Sequence, residues 1–331
     1  MLFLAVFLTF ISPVSAQDKP SFGLPIDCNI NENCWIMNYV DMDLAENAFK
    51  DPFCGPRGYD GHKGTDFAIQ SKIEMDEGVR VLAAKAGTVE KIRDGAPDRF
   101  ANAEDIEAVK EARKECGNAV LIDHGNTLKT IYCHLKKDSV AVETGQTVEA
   151  GDVIGEVGLS GMTEFPHLHF GILWEGAVID PFTGQSNTQG CGTITQPLWD
   201  TALNLNYTAT SLYHAGFSNR IPDIENIDRG QTNQTELTAD QSLLTFWFAA
   251  FGAQEGDSIT MTITAPDGSV FVERDITQPK TRARQFYFVG KRTEDEPLMS
   301  GIYTGTVEYR REKQNERVKL YKIERQLTVT D

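Results

Sequence analysis

The chain has 331 residues, of which 40% are hydrophobic and 24% are charged. This composition is typical of a soluble globular protein and excludes a largely disordered or membrane-embedded chain. The length suffices for two domains. The formal net charge is −17, so the surface repels phosphate backbones and nucleic acid is not an expected partner.

The first sixteen residues, MLFLAVFLTFISPVSA, form an apolar stretch that ends in the small-residue pattern Val14-Ser15-Ala16. This pattern is typical of a signal peptide, although no Lys or Arg precedes the apolar run. A membrane anchor is the alternative, but the run is short for a span and is followed at once by polar residues. We therefore expect residues 1–16 to be a signal peptide of an exported protein, periplasmic or extracellular, with no stable membrane span.

The six cysteines are an even number, as expected for disulfides in an oxidising compartment. They lie at positions 28, 34, 54, 116, 133 and 191, and no CxxC pair occurs. A zinc ribbon or a thioredoxin-like site is therefore unsupported. Cys28–Cys34 is a plausible pair on spacing alone. Cys116 and Cys133 lie opposite each other if His124 and Gly125 are the central residues of a hairpin turn.

Residues 17–56 mix Pro, Cys, Asn and Asp and predict an irregular N-terminal segment pinned by disulfides. From about 58 to 182 the sequence predicts β-strands punctuated by glycine turns. The strand-forming stretches are VRVLAAKAGTVEKIRDG, NAVLID, LKTIYCHL and QTVEAGDVIGEVG. Between them, AEDIEAVKEARKE at 103–115 predicts a solvated surface helix within an insertion at about 94–116.

Residues 183–205 are rich in Gly, Thr, Asn and Gln and mark the boundary between two domains, at 57–195 and 200–331. Beyond it, SITMTIT alternates with period two and is followed by the turn signal Pro266-Asp267-Gly268. Further strand-like runs follow at turn-punctuated intervals and predict an antiparallel, immunoglobulin-like β-sandwich. This second domain shows no chemistry-bearing cluster. We expect it to act as a spacer or to bind the cell wall or another protein.

Five of the six histidines lie between 62 and 169, and four of these five lie in the patterns HKGTD, IYCHL and HLH. A catalytic zinc site needs three protein ligands and one open position. Five side chains are candidates for this site, two more than the three ligands that zinc needs: His62, Asp66, His134, His167 and His169. Alternation along IYCHL predicts that Cys133 points away from the metal. The other two histidines, His124 and His214, are expected to be structural.

In this order, HKGTD, YCHL and PHLHFG resemble the lysostaphin-type (LytM-like) zinc metallopeptidases, which cleave peptides of bacterial peptidoglycan. The resemblance extends through VLAAKAGTV, CGNAVLIDHG and TGQTVEAGDVIGEVGLSG, over about residues 58–182. It implies a mainly β fold with an antiparallel LytM-like domain at 57–195. It also implies one Zn²⁺ ligated by His62, Asp66 and His169. His134 and His167 would be catalytic residues that do not bind the metal.

The function implied by this resemblance is a zinc metalloendopeptidase that hydrolyses peptide cross-links of peptidoglycan. His134 is favoured as the general base and His167 as the group that stabilises the oxyanion, although the two roles could be reversed. One alternative is a catalytically silent module that binds peptidoglycan or activates another cell-wall hydrolase. Another is a small-molecule metal hydratase or lyase that uses HLH, which would leave HKGTD unexplained.

Overall fold

The structure is a computed structural model that describes residues 20–294, 296–312 and 319–331. The signal peptide predicted at 1–16 lies outside these residues. Within the described ranges, no helix is long and apolar enough to cross a membrane. The described chain is mainly β and forms four sheets, as the sequence predicts for the fold class.

An eight-stranded antiparallel sheet contains the histidine-rich part of the chain. Its strands are β1 (Cys34–Asn38), β2 (Thr65–Ile69), β4 (Gly87–Arg93), β5 (Asn118–Asp123), β6 (Leu128–Leu135), β7 (Thr147–Val148), β9 (His167–Trp174) and β10 (Ala177–Ile179). The order across the sheet is β1, β2, β9, β6, β5, β4, β7, and β10 pairs with β9. A separate two-stranded sheet pairs β3 (Arg80–Leu82) with β8 (Val153–Glu156). We call the eight-stranded sheet the large sheet.

The N-terminal segment predicted as irregular is part of this architecture. It supplies β1 at the edge of the large sheet, antiparallel to β2. Its side chains Phe22 and Ile26 are fully buried in the core beneath the sheet. Burial of two large apolar side chains contributes about 3–6 kcal/mol of stability. The segment therefore packs as an integral layer of this half of the molecule.

The three disulfides join Cys28 to Cys34, Cys116 to Cys133 and Cys54 to Cys191. The first two confirm the predicted pairs. The hairpin register that suggested the second pair is wrong. A turn centred on His124 and Gly125 would pair Asp123 with Asn126, whereas Asp123 pairs with Lys129. Asn126 and Thr127 both have positive φ, which lengthens the turn.

Three short α-helices lie outside the sheets: α1 (Lys72–Glu77), α2 (Ala103–Glu111) and α3 (Ile224–Asp228). The surface helix predicted at 103–115 is α2, and it ends four residues earlier. It begins with a capping box in which Asn102 and Asp105 satisfy each other's backbone N–H groups. None of its residues is buried. Two 3₁₀ turns, Asn187–Gln189 and Thr201–Leu203, follow in the glycine-rich stretch.

Two further sheets form the C-terminal part of the chain. The three-stranded sheet has the order β11 (Ser211–Ser218), β13 (Leu243–Ala253), β16 (Arg282–Arg292). The five-stranded sheet has the order β12 (Glu236–Thr238), β18 (Lys319–Thr330), β17 (Gly301–Arg311), β14 (Ser258–Thr264), β15 (Val270–Thr277). The pairing of β12 with β18 is parallel, unlike the antiparallel pairing predicted for this region. We call these two the C-terminal sheets.

Strand β13 is buried on both faces, so it packs against the five-stranded sheet on one side and against the N-terminal half of the molecule, which contains the large sheet, on the other. Phe246 and Phe248 pack into a core shared with residues of the five-stranded sheet, such as Met261. Trp247 and Phe251, which alternate with them, pack in a cluster with Trp35, Ala68 and Phe165 of the N-terminal half. The C-terminal sheets therefore contact the loop that leads into β9, where the HLH histidines lie.

Candidate metal centre and active site

Three of the predicted side chains meet at one point. The Nε2 atom of His62 lies 3.0 Å from Oδ1 of Asp66 and 3.1 Å from Nδ1 of His169. His169 Nδ1 lies 2.8 Å from the same carboxylate oxygen. Together these side chains form the metal-binding candidate group of the described residues.

This donor set suits zinc. Tetrahedral bonds of about 2.0–2.1 Å put neighbouring ligand atoms about 3.3 Å apart, so the observed spacings need only a small expansion. Two imidazole nitrogens and one carboxylate are also ligands that zinc prefers, and they leave a fourth position for water or substrate. The residues present therefore fit the metal that the sequence predicts.

The pairing of β2 with β9 creates this convergence. Asp66 and His169 are directly opposite each other in the antiparallel register, so their side chains lie side by side on one face. His62 reaches them from the loop before β2. Gly64 in that loop is required because an added Cβ would lie 2.7 Å from the His169 ring and 2.5 Å from the carbonyl oxygen of Phe170.

Two further contacts orient these ligand candidates. His62 donates from Nδ1 to the main-chain oxygen of Tyr39 at 2.7 Å, which leaves Nε2 free to bind a metal when the ring is neutral. Asn38 donates from its amide to Oδ2 of Asp66 at 2.9 Å, so Oδ1 faces the two histidines. Asn38 belongs to no recognisable sequence motif and reaches Asp66 only through the pairing of β1 with β2, so no local sequence signal predicts its role.

The ionisation of the site follows from its burial and charges. Burial alone would raise the pKa of Asp66, but His62, His167 and the hydrogen bonds from His169 and His62 hold it well below its usual value. Burial lowers the pKa of His62, and Asp66 more than offsets this and raises it. Burial lowers the pKa of His169. Asp66 is therefore a carboxylate across the neutral range, as a metal ligand must be.

The remaining two predicted histidines stand beside this group. The ring centroid of His134 lies 4.7 Å from that of His167 and 6.0 Å from that of His169. His167 Nε2 is 3.7 Å from Oδ1 of Asp66. All five side chains singled out from the sequence therefore gather in one place.

Main-chain carbonyl groups set the tautomers of His134 and His167. His134 donates from Nδ1 to the oxygen of Ser160 at 2.8 Å, and His167 donates from Nδ1 to the oxygen of Phe165 at 2.7 Å. A carbonyl oxygen only accepts, so in each neutral ring the lone pair is on Nε2. Burial, together with the nearby His167 and His169, lowers the pKa of His134 well below its usual value. His134 is therefore neutral at pH 7 and able to accept a proton.

His134 has a left-handed backbone conformation, with φ of 62°. Its N–H donates to the oxygen of Cys116 at 2.8 Å, next to the disulfide from Cys116 to Cys133. This conformation costs about 1–3 kcal/mol for a non-glycine residue and breaks the regular alternation of β6. Regular alternation therefore no longer predicts the face of the sheet on which the Cys133 side chain lies. In the pairing of β6 with β9, Cys133 is directly opposite His169. Its sulfur is nevertheless bonded to Cys116, as predicted.

A groove of about 420 Å³ opens onto His167 and Asp66. Its walls come from three regions of the chain: the N-terminal half, the helical insertion and the C-terminal sheets. The lining includes Tyr59, Asp66, His167, Ile106, Lys110 and Arg284. An extended peptide laid in the groove would therefore contact all three regions.

The other two histidines lie elsewhere, in structural surroundings. His124 hydrogen-bonds the oxygen of Ala86 and the hydroxyl of Thr130, both at 2.8 Å. His214 is buried against Trp247 with ring centroids 4.7 Å apart. Neither contributes an atom to the metal-binding group.

Residues 60–181 match the family model described as Peptidase family M23, and this part of the chain is a peptidase M23 domain. The match spans the large-sheet strands from β2 to β10 and includes the five gathered side chains. This agrees with the resemblance seen in the sequence.

Several curated relatives align with the same region. The peptidoglycan DD-endopeptidase ShyA of Vibrio cholerae is 33% identical over 119 residues, which are 36% of this chain and 22% of that protein. An uncharacterised metalloprotease of Haemophilus influenzae is 32% identical over 122 residues, 37% of this chain and 20% of that protein. The DD-carboxypeptidase/endopeptidase Mpg of Neisseria meningitidis is 38% identical over 87 residues, 26% of this chain and 19% of that protein. The chain spans about a fifth of the length of these relatives.

Among solved structures, the catalytic domain of lysostaphin from Staphylococcus simulans aligns over 46% of this chain and 83% of that domain. The identity is 22% and the TM-score 0.26. A zinc-containing peptidase from Vibrio cholerae aligns over 44% of this chain and 38% of that protein, with 26% identity and a TM-score of 0.28.

Proposed function

We propose that this chain is a zinc-dependent endopeptidase that hydrolyses peptide cross-links of bacterial peptidoglycan. The observation that carries the proposal is the convergence of two histidines and an aspartate on one point, with His134 and His167 beside them and a groove that opens onto His167. The peptidase M23 domain and the relatives named as peptidoglycan endopeptidases support the class of substrate.

In this proposal His62, Asp66 and His169 hold one Zn²⁺ per catalytic domain. When bound, the metal supplies a Lewis acid that polarises the peptide carbonyl and promotes ionisation of water. Asn38 and the main-chain oxygen of Tyr39 hold Asp66 and His62 in the orientation that this binding needs. These hydrogen bonds do not involve the metal, so both side chains are oriented for binding before zinc is bound.

We assign the proton transfer to His134. Its Nε2 carries a lone pair, and its lowered pKa keeps the ring neutral at pH 7, which are the two properties of a general base. Such a base contributes about 10²–10⁴-fold in rate. After accepting the proton, His134 is positioned to donate it to the leaving amine.

His167 then stabilises the oxyanion. Because its Nδ1 donates to Phe165, it can donate from Nε2 only as an imidazolium. Its Nε2 lies 3.7 Å from Oδ1 of Asp66, beside the metal-binding group. The free lone pair and the lowered pKa of His134 support that residue as the base, which leaves the role of electrophile to His167.

The organisation of the chain is proposed with the function. The catalytic domain occupies 57–195, with the helical insertion at about 94–116, and 17–56 precede it. Residues 200–331 form a second domain that binds the wall or another protein. Three disulfides suit export to the periplasm or the cell exterior.

The test is digestion of purified peptidoglycan by the purified chain, with mass analysis of the released fragments. We expect peptides to be released, release to stop when a chelator removes zinc, and activity to return on adding zinc. His169→Ala should lose both zinc and activity. His134→Ala should retain zinc and lose activity by about 10²–10⁴-fold. His124→Ala, a histidine outside the groove, is the matched control and should retain both.

Two outcomes would contradict parts of the proposal. If His134→Ala emptied the metal site while His169→Ala kept it, the ligand assignment would be wrong. If the wild-type chain bound zinc and peptidoglycan but released no peptide, it would be the catalytically silent module.

A further inference from the structure

The loop before β9 connects an active-site histidine to the C-terminal sheets. The main-chain oxygen of Phe165 accepts a hydrogen bond from His167 Nδ1 at 2.7 Å and another from the Thr163 hydroxyl at 2.8 Å. These bonds fix both the tautomer and the direction of the His167 ring. A shift of the Phe165 peptide group would therefore disturb the shorter of the two hydrogen bonds at His167 Nδ1, since the other joins it to the Thr163 hydroxyl at 3.1 Å.

The side chain of Phe165 packs against residues of the C-terminal sheets. The Phe165 ring is 3% exposed and lies with centroids 5.7 Å from Tyr213 and 5.9 Å from Phe251. The guanidinium of Arg284, on β16, lies 4.4 Å from the centre of the ring. A cation over the face of a desolvated aromatic ring is attracted by the negative potential of that face.

Arg284 is itself held rigidly. Its two terminal nitrogens donate to the two carboxylate oxygens of the buried Asp228, and its Nε donates to the Tyr213 hydroxyl at 2.8 Å. A planar fork with both ends paired cannot rotate without breaking several hydrogen bonds. The guanidinium plane that lies over the Phe165 ring is therefore held in place by residues of α3, β11 and β16.

We propose that Arg284 is a positioning residue for His167, and that the C-terminal sheets orient this active-site histidine through Arg284 and Phe165. The kinetic consequence rests on the function proposed above, whereas the structural link from Arg284 to the His167 ring does not. On this view, residues beyond about 200 contribute to turnover itself and do not only locate the enzyme on its substrate.

Arg284 also lines the groove beside His167, so a direct contact with the substrate is the competing role. The two roles differ in kinetics. Loss of a substrate contact raises KM, whereas a misdirected His167 lowers kcat and leaves KM unchanged. The orientation of the His167 ring can also be measured without substrate.

The test uses the full chain loaded with zinc and carrying Arg284→Met together with Asp228→Asn. Changing both partners avoids leaving one buried charge unpaired. The matched control is Arg311→Met together with Asp257→Asn. This is another buried ion pair of the C-terminal sheets, and its hydrogen bonds go to Gly252 and Tyr309 rather than to Phe165.

Three quantities are measured for each protein: zinc content, kcat and KM on a peptidoglycan-derived peptide, and the ¹⁵N NMR signals of the histidine rings. The His167 Nδ1–H signal is assigned by its disappearance in His167→Gln. For the Arg284 variant we expect full zinc content, kcat lower by about 10- to 100-fold and KM within about twofold of wild type. The slowly exchanging Nδ1–H signal of His167 should be lost, and the control should keep both kcat and the signal.

The proposal is overturned if the Arg284 variant keeps the His167 signal. It is also overturned if KM rises while kcat is unchanged, or if the control loses kcat and the signal to the same extent. If the wild-type chain cleaves no peptide, the proposed function fails instead. The NMR comparison then decides the positioning role alone.

Discussion

A buried aspartate outside the active site provides a sharp test of the electrostatics of the fold. Asp180 follows β10 and is fully buried, and burial raises its pKa to about 7 despite hydrogen bonds from Thr183. These bonds, from the N–H and hydroxyl of Thr183, both go to Oδ2 at 2.7 Å. Oδ1 has no partner among the described residues. Replacement by Asn imitates the protonated carboxyl and removes the titration.

The sign and size of the effect follow from linkage. Between about pH 4 and pH 7 the folded protein keeps the proton on Asp180 that the unfolded chain has lost, so stability from this group falls as pH rises. The difference between the usual 3.8 and about 7 corresponds to about 4 kcal/mol as an upper bound. Asp180→Asn should therefore gain stability relative to wild type across this window and keep a constant advantage above about pH 7.

The assay is urea unfolding of wild type and Asp180→Asn, followed by tryptophan fluorescence at pH 4, 5, 6, 7 and 8. Asp138→Asn is the control, since its side chain is 72% exposed and the change removes the same charge from the surface. The difference in unfolding free energy between Asp180→Asn and wild type should grow by up to about 4 kcal/mol between pH 4 and 7. A difference that stayed constant with pH would refute the reasoning.

Two other substitutions test how the site is supported. Gly64→Ala should weaken zinc binding by about 10- to 100-fold, because its Cβ would displace the His169 ring; competition with a chromogenic chelator measures this, and unchanged affinity would count against the packing argument. Replacing Cys116 and Cys133 together by Ser should lower the free energy of unfolding by about 3 kcal/mol, from the loop of 17 residues that the disulfide closes. The same double variant should also lower kcat while zinc content is kept, because the strand end that presents His134 loosens. Denaturant titration and steady-state kinetics test these two effects, and an unchanged kcat would show that His134 holds its left-handed conformation without the disulfide.

The sequence by itself determined the chemistry of the site. HKGTD, YCHL and HLH identify the five side chains that meet in the structure, and their residue types already restrict the site to metal or acid–base chemistry. Local patterns also predicted the strands, the surface helix and two disulfides. These features depend on residues close in the chain, where glycine turns, period-two alternation and capping act directly.

Only the tertiary structure decided how those side chains are held. Asn38 reaches Asp66 through strand pairing across 28 positions, and Cys54 meets Cys191 across 137. The left-handed turn at His134 overrides the alternation that local reasoning assumed. Such contacts depend on register and on the packing of distant surfaces, and a slip of one residue in register would turn every side chain of a strand to the other face. The sequence names the side chains of the candidate site, and long-range packing sets the directions in which they point.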